Sequence, residues 1–123
     1  MKHIIVLILL AVLPLHEVRA QYKTIRLIIS GQSALYYEDY VLSIQYFNQA
    51  LAAKPYLYEP WFYRGLAKFY LDDYTGSEAD VTKAIELNPY VFNMFELRGL
   101  CRIRQKHYAQ AIDDYTRSIN LNP

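Results

Sequence analysis

The sequence predicts an all-α protein, an α-solenoid of three tandem helical hairpins. The main observation is that several residue types recur at an interval of 34 positions, which indicates a repeat architecture. They are glycines (Gly31, Gly65, Gly99), prolines (Pro55, Pro89, Pro123), tyrosines (Tyr40, Tyr74, Tyr108) and small residues (Ala50, Ala84, Ser118). A second observation is that no alternating strand pattern of any length occurs.

Each repeat reads as two helices joined by a short polar turn. In the middle repeat, Trp61 and Phe69 recur at helical spacing before Asp72, and Val81 and Ile85 do so after it. This pattern predicts first helices near residues 25–37, 59–71 and 93–105. Second helices are expected near residues 40–53, 74–87 and 108–121.

Helix ends have local chemical causes. Asp39 and Asp73 precede second helices, where a carboxylate can accept from unpaired backbone N–H groups, and His107 is a weaker cap in the third repeat. Asn93 is predicted to cap the helix that follows it. Pro60 suits a first turn, because its missing N–H would have no partner there.

The glycines lie in the middle of first helices, where glycine costs about 1 kcal/mol relative to alanine. Because this cost occurs in all three repeats, we infer that two helices approach each other closely at each glycine. Small residues occupy the facing second helices at the same interval, and these are Ser43, Ser77 and Ala111. We therefore expect Gly65 to pack closely against the second helix of its own repeat. The prolines at positions 55, 89 and 123 end the second helices, since proline disfavours helical geometry in the residue before it.

These repeated residues resemble the tetratricopeptide repeat (TPR), and the resemblance covers Thr24 to Pro123. The matching positions are Leu27, Gly31, Tyr40, Ser43, Phe47, Ala50 and Pro55 in the first repeat; Trp61, Gly65, Tyr74, Ser77, Ala84 and Pro89 in the second; and Phe95, Gly99, Tyr108, Ala111, Tyr115, Ser118 and Pro123 in the third. The resemblance implies repeats at about residues 24–57, 58–91 and 92–123. It also implies a right-handed superhelix whose concave face is lined by first helices.

On that resemblance, the concave face is a candidate groove for a protein or peptide partner. The candidate residues are Ile28, Gln32, Leu35 and Tyr36; Phe62, Leu66, Phe69 and Tyr70; and Glu96, Leu100, Ile103 and Arg104. Apolar and aromatic side chains dominate this set, and an exposed surface of this kind marks an interaction site. We expect an extended or helical peptide with apolar anchors, with Phe62 and Tyr70 as the leading contacts. The alternative is that the groove is the inner wall of a longer scaffold.

Two features qualify the family resemblance. TPR domains that clamp the C-terminal carboxylate of chaperone tails use Lys, Arg and Asn residues, whereas the matching positions here hold Ile28, Gln32, Tyr63, Asn93 and Leu97. Aromatic residues beyond those of the repeat pattern are also present, namely Tyr36, Phe62, Tyr63 and Tyr70. The sequence therefore does not predict a carboxylate clamp. It predicts that aromatic side chains anchor the partner.

Four basic residues form two pairs on first helices, with a spacing of four that places each pair on one helix face. They are Arg64 with Lys68 and Arg98 with Arg102. One interpretation is a stripe that binds anions. The other is a ladder neutralised by nearby acidic residues such as Asp80 and Asp114.

Residues 1–20 have the three parts of a cleaved secretory signal peptide: Lys2, a ten-residue apolar run from Ile4 to Leu13, and a polar stretch that ends at Ala20. We expect a periplasmic or extracellular protein, with residues 21–123 as the array. Pro14 should break a longer helix, and the run is shorter than the roughly 20 residues that span a bilayer. The alternative is an uncleaved membrane anchor.

The charge of the array argues against nucleic acid as a partner. Lys2 and Arg19 are the basic residues of the first 20 positions and Glu17 is the acidic one, so 11 of the 13 basic and 11 of the 12 acidic residues remain. A net charge of zero does not favour binding to a polyanion. Cys101 is the single cysteine, so no internal disulfide forms, and we expect it to be a small buried apolar residue.

The sequence also indicates a binding protein rather than an enzyme. The array has one histidine, His107, with no second one to share a metal, and no glycine-rich phosphate loop. No cofactor or metal is therefore expected. Because no capping helix follows Pro123, the runner-up function is an oligomerisation module or the front part of a longer array, acting through its end surfaces. Self-association through the uncapped last repeat is one way in which such an oligomerisation module would act.

Overall fold

Six α-helices form the described chain, as seen in a computed structural model that describes the backbone of residues 2–123 and the side chains of residues 14–123. They are α1 (Lys2–Tyr36), α2 (Tyr40–Ala53), α3 (Tyr58–Tyr70), α4 (Tyr74–Leu87), α5 (Phe92–Arg104) and α6 (Tyr108–Leu121). Each odd-numbered helix packs against the next helix as a hairpin, and α2 packs on α3 as α4 does on α5. No strand occurs between residues 2 and 123. The predicted all-α solenoid of three hairpins is confirmed.

The helix limits agree closely with the sequence pattern except at the start. All three second helices begin and end at the predicted residues, and α3 and α5 lie within one residue of their predicted limits. Helix α1 begins at Lys2 and continues through Pro14, so the predicted break at that proline is wrong. Proline removes one hydrogen bond and costs roughly 3 kcal/mol in a helix interior. Because proline removes a single backbone donor, the other hydrogen bonds of a helix can remain on either side of it.

Two of the predicted helix caps are formed by aspartates. The Asp39 carboxylate accepts from the Leu42 N–H at 3.3 Å, and the Asp73 carboxylate accepts from the Gly76 N–H at 2.9 Å. The side chain of His107 makes no capping hydrogen bond to α6. The two aspartate caps are therefore confirmed, whereas His107 holds the N-cap position of α6 without capping it through its side chain.

The predicted cap of α5 is wrong. Val91, with extended backbone angles, holds the N-cap position, and it makes no side-chain capping bond. The helix begins at Phe92, which places Asn93 within the first turn. A residue inside the helix has helical rather than extended backbone angles, so Asn93 does not meet the geometry of a cap.

The close approach predicted at the repeated glycines is present. A Cβ atom built on Gly65 would lie 2.9 Å from Cγ2 of Val81 and 3.2 Å from the backbone oxygen of Ser77. In the first repeat the Ser43 hydroxyl donates to the Gly31 carbonyl at 3.0 Å. At Gly65 the helix backbones themselves come close, whereas a Cβ atom on Gly31 or Gly99 would meet the ring of Phe47 or Tyr115 on the facing helix.

The main core lies between the second and third repeats. It joins one face of α4 to one face of α5, and its buried members are Val81, Ala84, Ile85, Met94, Phe95, Leu97 and Cys101. The helices α1, α3 and α5 stand next to one another and form one wall of the array. Within the described part of the chain, no helix is both long and apolar enough to cross a membrane.

Candidate functional site

The predicted groove residues all lie at least partly at the surface of this wall. Half of the set is half-buried, namely Ile28, Gln32, Leu35, Phe62, Leu66 and Phe69. The other half is exposed, namely Tyr36, Tyr70, Glu96, Leu100, Ile103 and Arg104. Tyr36 is 81% exposed and Tyr70 is 53% exposed. A partner that covered these rings would remove substantial apolar surface from water.

Five of these residues line one cavity of about 450 Å³ between α1, the turn after it, and α3. We call it the tyrosine cavity, and its lining residues are Gln32, Leu35, Tyr36, Glu38, Tyr40, Tyr63, Leu66 and Tyr70. The structure therefore brings the first-repeat and second-repeat parts of the predicted groove together.

Stacked aromatic rings hold the walls of the tyrosine cavity. The rings of Tyr40 and Tyr70 stack with their centroids 5.0 Å apart and an interplanar angle of 17°. Tyr63 stacks in the same way on the buried ring of Phe47, at 5.8 Å. Stacking of this kind adds about 0.5–1.5 kcal/mol to simple area burial. The rings are therefore positioned by α2 and α3 together.

Three lining residues lie outside the predicted groove set, namely Glu38, Tyr40 and Tyr63. Glu38 lies in the turn after α1 and has a positive φ of 63°. Tyr40 is the first residue of α2 and was assigned to the repeat core by its spacing. Tyr63 was singled out only as a surplus aromatic. The 34-residue spacing marks Tyr40 as structural, and it carries no signal that the turn directs Glu38 toward α3.

A second cavity of about 270 Å³ lies beside the first and shares Gln32 with it. Its other lining residues are Gln21, Thr24, Ile25, Ile28, Ile29, Lys54, Leu57 and Glu59. Most of the area is apolar and belongs to α1 and to the turn between α2 and α3. The candidate groove thus continues along α1 toward residue 21.

The predicted anchor Phe62 lies outside the tyrosine cavity. Its side chain is half-buried, packs against the main core and contacts the ring of Tyr63 with centroids 5.3 Å apart. Tyr70 is therefore the better exposed of the two predicted anchors.

Further along the wall, the side chain of Arg104 in α5 lies over the rings of Tyr74 and Phe69. Its guanidinium carbon lies 5.6 Å from the ring centroid of Tyr74 and 5.9 Å from that of Phe69. The Tyr74 hydroxyl donates to the carboxylate of Asp72 at 2.8 Å, and this hydrogen bond raises the pKa of Tyr74. The chain thus places a cation on aromatic rings beside a carboxylate, which is a favourable cation–π arrangement.

Asp80 neutralises the first pair of basic residues. Its side chain is almost fully buried, and its carboxylate lies 2.7 Å from Nη2 of Arg64 and 3.0 Å from Nζ of Lys68. Arg64 also donates to the side-chain oxygen of Asn48 at 2.9 Å. Both cations therefore bridge helices within the array.

The third repeat contains the same arrangement. The buried carboxylate of Asp114 lies 2.8 Å from Nη2 of Arg98 and 2.8 Å from Nη1 of Arg102. Arg102 also meets Glu78 of α4 at 3.4 Å. All four residues of the candidate anion stripe thus have acidic partners. This arrangement corresponds to the neutralised ladder, the second interpretation of the sequence.

Comparison with known proteins extends this description of the fold. No protein-family profile and no curated protein matches the chain. It is similar to the first TPR domain of Spaghetti (RPAP3), solved with the HSP90 peptide SRMEEVD, at 25% identity over 83% of this chain and 81% of that one, with a TM-score of 0.81. The second TPR domain of the same protein, also solved with that peptide, matches at 23% identity over 85% of this chain and 98% of that one, with a TM-score of 0.80.

A TPR domain from a second protein shows the same architecture. The TPR domain of Arabidopsis OM64 matches at 18% identity over 85% of this chain and 86% of that domain, with a TM-score of 0.82. These likenesses agree with the six helices, the three hairpins and the 34-residue spacing. The chain therefore has the tetratricopeptide-repeat fold, with three repeats in tandem.

Proposed function

We propose that this chain is an exported TPR scaffold that binds a peptide segment of a partner protein along the inner face of α1, α3 and α5. The observation that carries the proposal is the tyrosine cavity, in which five predicted groove residues from two repeats meet. Exposed tyrosine rings are favourable anchors, because they bury a large area with little loss of conformational freedom. TPR domains of similar structure have been solved with bound peptides.

The peptide is expected to differ in chemistry from the acidic peptide SRMEEVD. The positions that correspond to the carboxylate clamp carry no Lys or Arg here, and Leu97 is buried in the core. Arg64 and Arg98 already pair with buried aspartates. We therefore expect anchoring by apolar and aromatic contacts rather than by a clamped carboxylate.

Export is the second part of the proposal. It is supported by the charged, apolar and polar segments of residues 1–20, in the order of a secretory signal peptide. Sequencing the N-terminus of the protein recovered from its native host would test it. A mature chain that starts at Gln21 supports export, and a chain that retains residues 1–20 contradicts cleavage.

Peptide binding is tested by selecting random dodecapeptides on the immobilised full chain and measuring their affinity by fluorescence anisotropy. We expect Tyr70→Ala to raise the dissociation constant at least tenfold, because truncating a central aromatic anchor costs about 2 kcal/mol. Phe62→Ala is a less specific test, since Phe62 also packs on the core.

The matched control is Tyr90→Ala. Tyr90 is 75% exposed, and it lies in the turn before α5, away from the tyrosine cavity. The control should bind the selected peptides as the parent does, and both variants should keep the parent's circular dichroism. Equal affinities of the parent and Tyr70→Ala would contradict the proposal.

A second candidate function, self-association through the last repeat, is favoured by the surface of α6. Ile119 corresponds to Ile85 by the 34-residue spacing, yet it is 62% exposed whereas Ile85 is 9% exposed beneath α5. Ile112 and Tyr108 are exposed beside it. A second copy of the chain could cover this face as α5 covers α4.

Light scattering of the purified chain tests this candidate. A dimer or higher oligomer that Ile119→Asp converts to a monomer would support it. A monomer at high concentration would remove it, and the peptide-binding proposal would be unaffected.

A further inference from the structure

The tyrosine cavity combines electron-rich ring faces with a single charge, which is negative. Four tyrosines contribute to its lining, and Glu38 supplies the carboxylate. None of its eight lining residues is basic. The faces of aromatic rings attract cations, and a nearby carboxylate strengthens that attraction. The chemistry of the lining therefore fits a positively charged group.

One repeat further along the chain, a similar arrangement of a turn carboxylate and a tyrosine includes a cation from the chain itself. Asp72 occupies the same turn position as Glu38, with nearly the same φ of 62°, and Tyr74 corresponds to Tyr40. At that place the guanidinium of Arg104 lies over the Tyr74 ring and donates to its hydroxyl at 3.4 Å. A turn carboxylate, a tyrosine and a cation thus meet in the second repeat.

The first repeat keeps two of these three groups and lacks the cation. By the 34-residue spacing, the counterpart of Arg104 is Tyr70, whose ring stacks on Tyr40. The neighbouring Tyr36 is 81% exposed, so the cavity stays open to a partner. The Tyr70 ring takes the place of the guanidinium on Tyr40, so a cation supplied by a bound molecule would lie outside this stacked pair, beside Glu38 and the exposed ring of Tyr36.

We propose that the tyrosine cavity binds the side chain of an arginine or lysine in the partner peptide, with its charge against Glu38 and the tyrosine rings. This inference rests on the proposed peptide-binding function and names the chemistry of one anchor. Arginine fits better than lysine, because its planar guanidinium stacks on aromatic faces.

The electrostatics at Tyr40 are consistent with this assignment. Desolvation raises the pKa of the Tyr40 hydroxyl, and the charge of Glu38 raises it further. The surroundings thus disfavour an additional negative charge. A cation bound beside the ring would act in the opposite direction and lower that pKa.

The test uses isotope-labelled full chain and two small probes, N-acetyl-arginine amide and N-acetyl-citrulline amide. Citrulline has nearly the shape of arginine without its charge. We expect the arginine probe to shift the ring resonances of Tyr36, Tyr40 and Tyr70 with saturation. The citrulline probe should bind at least tenfold more weakly. Equal binding of both probes would overturn the proposal.

Two variants examine the residues that carry the inference. Glu38→Gln removes the carboxylate and should weaken arginine binding by roughly two- to fivefold, the range of an exposed ion pair. Tyr70→Arg copies the arrangement at Arg104 and should abolish saturable binding, because the new guanidinium occupies the site. Tyr90→Arg is the matched control, since it adds the same charge outside the cavity and should bind as the parent does. Unchanged binding in Glu38→Gln and Tyr70→Arg would overturn the proposal.

The selected dodecapeptides distinguish this inference from the proposed function. Peptides that require Tyr70 and contain a conserved basic residue support both. Peptides that require Tyr70 but bind equally well after their basic residues become glutamine overturn the cation site and leave the groove intact. Peptides that bind independently of Tyr70 contradict the groove, and the arginine probe then tests the cavity by itself.

Discussion

At position 65 the backbones of α3 and α4 come close enough that an added side chain would be crowded. A Cβ atom there would lie 3.2 Å from the backbone oxygen of Ser77, and this atom moves only if the helix moves. We expect Gly65→Leu to lower the free energy of unfolding by about 1–3 kcal/mol through overpacking. Urea unfolding measures this change, and the exposed position Ala52 on α2 provides the control, Ala52→Leu. A Gly65→Leu variant as stable as the parent would contradict the packing.

The thiol of Cys101 is expected to be unreactive while the protein is folded. It is fully buried, its Sγ donates to Oγ of Ser77 at 3.2 Å, and burial raises its pKa. A raised pKa lowers the fraction of nucleophilic thiolate at any given pH. At pH 8, a thiol reagent such as dithionitrobenzoate should label the protein only after unfolding in urea. Rapid labelling of the folded chain would contradict the buried assignment.

At the scale of the helix, α6 lacks the cap that α2 and α4 possess. His107 has backbone angles of −90° and 65°, close to the −86° and 74° of Asp73, so the turn already has the geometry of an aspartate cap. We expect His107→Asp to stabilise the protein by about 0.5–2 kcal/mol. The converse change, Asp73→Ala, should destabilise it by a similar amount. Chemical denaturation of both variants measures this, and a His107→Asp protein no more stable than the parent would contradict the expectation.

Helix limits were predictable where their causes are local. The three second helices follow from Asp39 and Asp73 at two of their starts and from a proline just after each end. Asn93 failed as a cap because the residue type does not fix where the chain enters helical angles. The break at Pro14 failed because a single lost hydrogen bond does not end a helix that continues on both sides.

The candidate site was predictable only in part, for a reason that belongs to the whole molecule. Tyr36 and Tyr70 could be found because each lies on the inner side of a first helix in a repeating frame. Glu38 and Tyr40 reach the same cavity from a turn and from a second helix. Their place depends on how the first repeat packs on the second, which the 34-residue spacing does not describe.

In a linear array each repeat contacts only its neighbours. The wall formed by α1, α3 and α5 is therefore built from three repeats that fold locally. A ligand that touches more than one repeat would therefore stabilise the array as a whole. The tyrosine cavity is placed for such a contact, since its walls come from the first two repeats.

The most direct test of the central claim is a crystal structure of the full chain with a selected dodecapeptide. The account predicts that the peptide lies on the inner face of α1, α3 and α5, with a side chain in the tyrosine cavity against Tyr70. A peptide bound on the outer faces of α2 and α4, or on α6 alone, would contradict it.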